Sequence, residues 1–200
     1  MDALVRGKNR FPWQKVASIG YQIADALRHA KEVMALDSGV DEDFAHRDLH
    51  AGNIMIAQET SGILKAKLLD FGLARLPGDS STISSFVKKH GNAFMPYRDP
   101  YWPNGGILGD IFSFGIILFE LTCGYRPYPD GALGEYQRSR KDPDDLMTQM
   151  RKIPSETSKD FGDILIKMLQ PEIRKRYQRW EDLIRDLGKL SEPKRSALPV

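Results

Sequence analysis

Apolar residues recur with helical spacing in several segments of the chain. Beyond Pro12, one face of a long helix is predicted by apolar residues at three- and four-residue steps: Val16, Ile19, Ile23, Leu27, Ala30 and Met34. Residues 107–123 are apolar almost all round and are followed by Gly124, which predicts a buried helix with a glycine at its end. Amphipathic spacing predicts three further helices, over residues 142–152, 157–169 and 180–190.

Two short runs have the character of strands rather than helices. Residues 54–57 and 65–69 flank the turn-like sequence Glu59-Thr60-Ser61-Gly62, which predicts a β-hairpin. Residues 70–104 show little periodicity, and an irregular stretch of that length in a compact domain is often functional. The pattern therefore predicts a mainly α fold of the α+β kind, with helices around a buried central helix and one small hairpin.

Composition and charge narrow the class of protein. The chain has 200 residues, 41% hydrophobic and 28% charged, which fits a globular domain. A formal net charge of +2 gives no sign of a nucleic-acid partner. The longest apolar run, residues 111–119, is shorter than the ~20 residues that span a bilayer, so no membrane span is expected. The single cysteine, Cys123, cannot form an internal disulfide, which favours a cytoplasmic protein.

Two motifs, one on each side of the predicted hairpin, indicate the type of reaction. The sequence H-R-D-L-x-x-x-N is matched at every fixed position by His46-Arg47-Asp48-Leu49-His50-Ala51-Gly52-Asn53, and Asp70-Phe71-Gly72 follows the hairpin. Phosphoryl transfer needs a group that orients the attacking hydroxyl and accepts its proton, and magnesium that bridges the phosphates. Magnesium prefers oxygen ligands. Each triplet alone is a weak signal, whereas the pair in this order is specific.

The two motifs resemble the catalytic and metal-binding loops of eukaryotic-like protein kinases. The sequence GDIFSFGIILFEL, residues 109–121, is similar to the buried central helix of the C-terminal lobe in that family, whose aspartate, here Asp110, holds the catalytic loop. The resemblance implies a kinase C-terminal lobe over residues 1–190 and a flexible basic tail over residues 191–200. The subfamily that it implies is atypical, similar either to tyrosine kinases or to bacterial serine/threonine kinases.

The resemblance also implies roles for individual side chains. Asp48 is the expected catalytic base, and Asn53 belongs both to the catalytic set and to the metal ligands. Asn53 and Asp70 are expected to hold Mg²⁺, or Mn²⁺ in its place. Met55 is expected to lie under the adenine ring of ATP, so that Met55, Asn53 and Asp70 form the cofactor-binding set.

Arg47 and His50 complete the expected catalytic set. In the family, the arginine beside the catalytic aspartate pairs with a phosphorylated residue, because a guanidinium binds phosphate in a fork. His50 stands where serine/threonine kinases usually carry lysine, and it fits the tyrosine-kinase pattern no better. It is interpreted either as a contact to the transferred phosphate or as a solvated loop histidine.

Two further positions depart from the family pattern. Residues 1–7 resemble the hinge between the two kinase lobes, so the glycine-rich loop and the ATP-binding lysine have no counterpart, and the N-terminal lobe is expected to be missing. Tyr101 stands where the family has a glutamate that pairs with an arginine, here Arg176. Arg176 is therefore expected to find another partner or to be exposed.

Three functions follow from these observations. The leading one is transfer of the ATP γ-phosphate to a serine or threonine hydroxyl of a protein substrate, in preference to tyrosine. The first alternative is a non-catalytic kinase-lobe fragment or pseudokinase that binds a regulatory protein or an N-terminal lobe. The second is a small-molecule phosphotransferase of the aminoglycoside or choline type, whose loop is similar around His50. The Asp110 helix and the Asp70 motif are closer to protein kinases.

Overall fold

The regular structure is mostly helical. The computed structural model describes residues 10–38, 45–70, 95–99, 106–127 and 148–191. Its main elements are α1 (Trp13–Ser38), β1 (Ile54–Gln58), β2 (Leu64–Leu68), α2 (Ile107–Cys123), α3 (Lys159–Met168) and α4 (Trp180–Ser191). Short 3-10 turns lie at Ala51–Asn53, Met95–Tyr97 and Ile173–Lys175. The predicted mainly α fold with one small hairpin is confirmed.

Helix α2 is the central element of the core. It has the predicted bounds, and its side chains are buried along nearly the whole length. It ends at Gly124, whose left-handed backbone (φ 79°) lets its N–H bond the Glu120 carbonyl at 2.8 Å. At Gly115 an added Cβ would lie 2.9 Å from the Leu169 side chain, so the absence of a side chain there allows close packing. The predicted buried central helix is therefore confirmed.

Helix α1 packs its predicted apolar face into the same core. Val16, Ile19, Ile23 and Leu27 are buried, whereas Met34 near the other end of the helix is exposed. Helix α4 lies against α1 through residues that include Leu187, which faces Gly20. The amphipathic pattern thus locates the buried face and overestimates how far along α1 it extends.

The hairpin and the remaining helices follow the sequence closely. Strands β1 and β2 pair antiparallel with Ile54 opposite Leu68 and Gln58 opposite Leu64. The turn between them has a positive φ at Gly62 (83°), a conformation that glycine adopts at little cost. Helices α3 and α4 fall within the predicted segments 157–169 and 180–190 to within two residues.

Some of the predicted segments lie only partly within the described residues. In the predicted helix 142–152, residues 148–150 are helical, 151–152 form a turn, and 142–147 lie outside the described residues. The irregular stretch 70–104 is described at Asp70 and at residues 95–99, and the expected tail beyond Ser191 lies outside the description. Within the part of the chain that is described, no helix combines the length and apolar character that crossing a membrane requires.

Candidate active site

A buried carboxylate on α2 holds the loop that begins at His46. Asp110 accepts backbone hydrogen bonds from the N–H groups of His46, at 2.6 Å, and of Arg47, at 2.9 Å. Burial raises the pKa of the Asp110 carboxyl to about 7, and the two N–H donors act against that rise. The contact that was expected for Asp110 is therefore present, and it joins the central helix to the loop.

The loop that Asp110 holds contains one residue with a left-handed backbone, Arg47. Arg47 has φ 62°, a conformation that is uncommon for residues other than glycine. The next residue, Asp48, is 1% exposed. Because the amides of His46 and Arg47 are fixed by one carboxylate, this turn is held in place and sets the position of Asp48.

Asn53 closes the loop from its other end. Its side-chain Nδ2 donates to the Asp48 carbonyl at 2.8 Å, and its backbone N–H donates to the His50 carbonyl at 3.0 Å. The amide nitrogen thus faces Asp48, so the amide oxygen faces away from the Asp48 carbonyl. The amide oxygen is the atom of Asn53 that is expected to hold a cation.

The hairpin returns the chain to Asn53, as the sequence predicts. The Leu69 N–H donates to the Asn53 carbonyl at 2.8 Å, and the Leu69 carbonyl lies 3.3 Å from His46 Nε2. Asp70 follows directly, exposed and with φ 53°, the second non-glycine residue with a positive φ in the described part of the chain. The backbone of the residue before Asp70 therefore bonds that of Asn53, at the open end of the hairpin.

His50 lies beside the expected catalytic base. Its side chain is buried, and its Nε2 is 3.6 Å from Asp48 Oδ1. Its ring centroid lies 6.4 Å from that of Tyr97. The interpretation of His50 as a solvated loop histidine is wrong, because the fold closes over the loop and leaves the residue 3% exposed. A contact to the transferred phosphate stays a prediction.

Arg176 pairs with Asp99, a partner that was not predicted from the sequence. The side chains of Arg176 and Asp99 are 0% and 1% exposed and form a two-pronged ion pair, with Nη2 3.2 Å from Oδ1. Arg176 also donates to the Gln170 and Leu108 carbonyls and lies 4.8 Å from the Phe112 ring centroid. The expectation of another partner is confirmed. A signal was present in the sequence, because Asp99 is the carboxylate nearest to Tyr101.

A second contact joins the Met95–Tyr97 turn, which precedes Asp99, to α2. The Tyr97 hydroxyl donates to Glu120 Oε2 at 2.5 Å, and Arg126 Nε lies 3.9 Å from Glu120 Oε1. The Arg126 guanidinium lies over the Tyr97 ring, 5.5 Å from its centroid. Sequence reasoning missed Tyr97 and Glu120, because their pairing joins segments that are distant in the chain.

Comparison with known proteins agrees with this geometry. Residues 1–186 match the family model described as protein kinase domain. The chain belongs to the protein kinase family. A probable serine/threonine-protein kinase of Clostridium perfringens (strain 13 / Type A) is 28% identical over 196 residues, which are 94% of this chain and 25% of that protein. Calmodulin-binding receptor-like cytoplasmic kinase 1 of Arabidopsis thaliana is 31% identical over 165 residues, 80% of this chain and 31% of that protein.

A solved structure shares the fold. The kinase domain of Rad53, solved with SCD2 in complex with AMPPNP, superposes with a TM-score of 0.62 at 17% sequence identity. The match covers 95% of this chain and 64% of that one. This kinase chain therefore spans about a quarter to a third of the length of the two relatives named above and under two thirds of the solved domain.

The hairpin carries Met55, the residue that is expected to contact adenine. Ile54 and Ile56 on β1 are buried in the core, and Met55 between them is half-buried. Because side chains alternate along a strand, Met55 lies on the face opposite Ile54 and Ile56. That placement is consistent with the expected contact to adenine, which stays a prediction.

The oxygen donors at the site fit magnesium bound together with a nucleotide. Within the described residues there is no cluster of three or more histidine, cysteine or acidic side chains that could hold a metal ion. Asn53 and Asp70 supply an amide oxygen and a carboxylate. Mg²⁺ is commonly held by one or two protein oxygen ligands, with substrate phosphates and water completing its octahedron. Two oxygen-bearing side chains beside a protected aspartate match that kind of site.

Proposed function

We propose that this chain is the catalytic lobe of a protein kinase that transfers the γ-phosphate of ATP to a serine or threonine hydroxyl of a protein substrate. The observation that supports the proposal is the loop that Asp110 holds: Asn53 bonds the carbonyl of buried Asp48, and Leu69, the residue before Asp70, bonds the carbonyl of Asn53. The Clostridium relative is described as a probable serine/threonine-protein kinase, which supports serine or threonine as the acceptor. The AMPPNP complex of the structural neighbour supports ATP as the phosphate donor.

In the proposed mechanism, Asp48 orients the substrate hydroxyl and accepts its proton as the oxygen attacks the γ-phosphorus. The bond between the γ-phosphorus and the β,γ-bridging oxygen breaks, and ADP leaves with that electron pair. Asn53 and Asp70 would hold Mg²⁺, which neutralises charge on the phosphates. The burial of Asp48 limits the access of water, and its position is fixed through the Asn53 amide and the adjoining turn.

The remaining members of the site have supporting roles in this proposal. His50 lies close enough to Asp48 to orient its carboxylate or to contact the transferred phosphate. Arg47 would bind a phosphorylated residue, since a guanidinium matches phosphate in a fork. Met55 would form the floor under adenine.

The domain boundaries and setting belong to the same proposal. Residues 1–190 form the catalytic lobe and residues 191–200 a basic tail. The glycine-rich loop and the ATP-binding lysine would come from an N-terminal lobe outside these residues. A single cysteine in 200 residues favours a cytoplasmic setting.

The test uses a complete kinase domain, in which this chain is joined to an N-terminal lobe. Asp48→Asn should lower phosphate transfer to a protein acceptor by about 10²- to 10⁴-fold, the usual contribution of a general base, and leave ATP binding intact. Asp163→Asn, the same substitution at an exposed site on α3, should leave transfer unchanged. Full transfer by the Asp48→Asn domain would overturn the proposal. Transfer to an aminoglycoside or choline, with none to protein, would favour the small-molecule alternative.

A further inference from the structure

The outer edge of strand β2 faces helix α1 rather than another strand. Glu59 and Asn53 of the first arm bond Ile63 and Leu69 of the second, so the odd-numbered residues of the hairpin form the hydrogen-bonded pairs. The backbone groups of Leu64 and Ala66 therefore point away from β1. In the described residues the sheet has two strands, so this edge has no strand partner.

The side chain of Gln22 on α1 occupies that edge. Its Nε2 donates to the Leu64 carbonyl at 3.1 Å, and its Oε1 accepts the Ala66 N–H at 3.0 Å. One carboxamide thus satisfies one donor and one acceptor of the strand, as the backbone of an adjoining strand would. The reverse orientation of the amide would place donor against donor and acceptor against acceptor, so the pairing fixes the side chain.

Strand β2 leads directly to the expected metal ligand. It ends at Leu68, Leu69 bonds the Asn53 carbonyl, and Asp70 follows in the left-handed conformation. The strand is therefore held by α1 on one edge and by β1 and Asn53 on the other. A strand fixed on both edges cannot shift its register, and a one-residue shift would move Asp70 away from Asn53.

We infer that Gln22 is a positioning residue for Asp70, and that its two-point contact with β2 sets the metal affinity of the site. The inference rests on the proposed function, in which Asp70 holds the divalent cation. Outer-shell partners of metal ligands change affinity or activity by about 10- to 100-fold when removed. Gln22 acts through a strand rather than by direct contact, so we expect the lower end of that range.

The test measures Mn²⁺ binding in the presence of AMPPNP by electron paramagnetic resonance, on the complete kinase domain. Gln22→Met keeps the length of the side chain and removes both the donor and the acceptor. It should weaken Mn²⁺ binding about tenfold and accelerate hydrogen exchange of the Ala66 amide. Gln14→Met is the matched control, because Gln14 is exposed on the same helix. It should leave both quantities unchanged.

A second variant keeps the inference testable if Gln22→Met does not fold. Gln22→Glu retains an acceptor for the Ala66 N–H but places a second acceptor oxygen against the Leu64 carbonyl, so it should also weaken Mn²⁺ binding. Faster exchange at Ala66 with unchanged Mn²⁺ affinity would overturn the inference, because a purely structural contact would behave in that way. Unchanged exchange at Ala66 would also overturn it.

Asp70→Asn separates this inference from the proposed function. If Asp70→Asn weakens Mn²⁺ binding and neither Gln22 variant does, the positioning role is overturned and the metal role of Asp70 stands. If Asp70→Asn leaves Mn²⁺ affinity unchanged, the metal role of Asp70 is overturned, and the positioning role of Gln22 falls with it.

Discussion

Arg176 and Asp99 form an ion pair in which both side chains are almost completely buried. Arg176 lies between α3 and α4, and Asp99 follows the short turn at Met95–Tyr97. The pair thus joins residues 95–99 to the helical core. The family resemblance assigned the carboxylate partner of Arg176 to position 101, where this chain has Tyr101. Asp99 supplies that carboxylate from two residues earlier.

Removal of one partner of this pair should strongly destabilise the protein. Asp99→Asn removes the charge of a buried partner of the Arg176 guanidinium, which should lower the free energy of unfolding by about 3–5 kcal/mol. Urea denaturation measures the change. Glu172→Gln, which breaks the exposed pair with Lys175, is the control and should have little effect. Equal, small changes in the two variants would contradict a structural role for the buried pair.

The raised pKa of Asp110 should make stability depend on pH. Burial raises this pKa from 3.8 to about 7 in the folded protein. Folding therefore favours the protonated carboxyl. The stabilisation that protonated Asp110 provides is complete below about pH 4 and is lost as the pH rises through the window from 4 to 7. Relative to Asp110→Asn, the free energy of unfolding should fall with rising pH in that window, by at most about 1.4 kcal/mol per pH unit. Parallel urea-denaturation curves from pH 4.5 to 8 would contradict this.

The hydroxyl of Tyr97 should contribute to stability through Glu120. Tyr97→Phe keeps the buried ring and removes the donor to the carboxylate, which should lower the free energy of unfolding by about 1.5–3 kcal/mol. Tyr21→Phe is the matched control, because Tyr21 is exposed on α1. Thermal or urea unfolding of both variants measures the difference. A loss at Tyr97 no larger than that at Tyr21 would show that the hydrogen bond contributes little.

Two glycine-to-alanine substitutions should change stability in opposite directions. At Gly115 the new methyl would lie 2.9 Å from Leu169 Cδ2 and 3.0 Å from Met168 Cβ, so overpacking should lower the free energy of unfolding by about 1–3 kcal/mol. At Gly162 on α3 nothing lies within 4 Å of the new methyl, and the higher helix propensity of alanine should raise stability by up to about 1 kcal/mol. Unfolding curves of the two variants give the signs. Stabilisation at Gly115 would show that α2 can move away from Leu169.

The local elements could be predicted because their signals lie within short stretches of sequence. The apolar period marks α2, and Gly124 marks its end, because a left-handed C-terminal residue favours glycine. The hairpin could be predicted from two apolar runs around Gly62. The catalytic motif was recognised by the types and spacing of its residues, and those run from His46 to Asn53 in one loop.

Residue types and their spacing were enough to predict the family, the mainly α architecture and the expected catalytic and metal-binding side chains. The folded chain shows which distant residues pair with one another: Asp99 with Arg176, separated by 77 positions, and Gln22 with Leu64 of β2, separated by 42. It also decided that His50 is buried and that Arg47 adopts a positive φ. Periodicity and motif spacing report on neighbours in the chain. Pairing of a buried charge or an open strand edge depends on which segments the fold brings within hydrogen-bond distance.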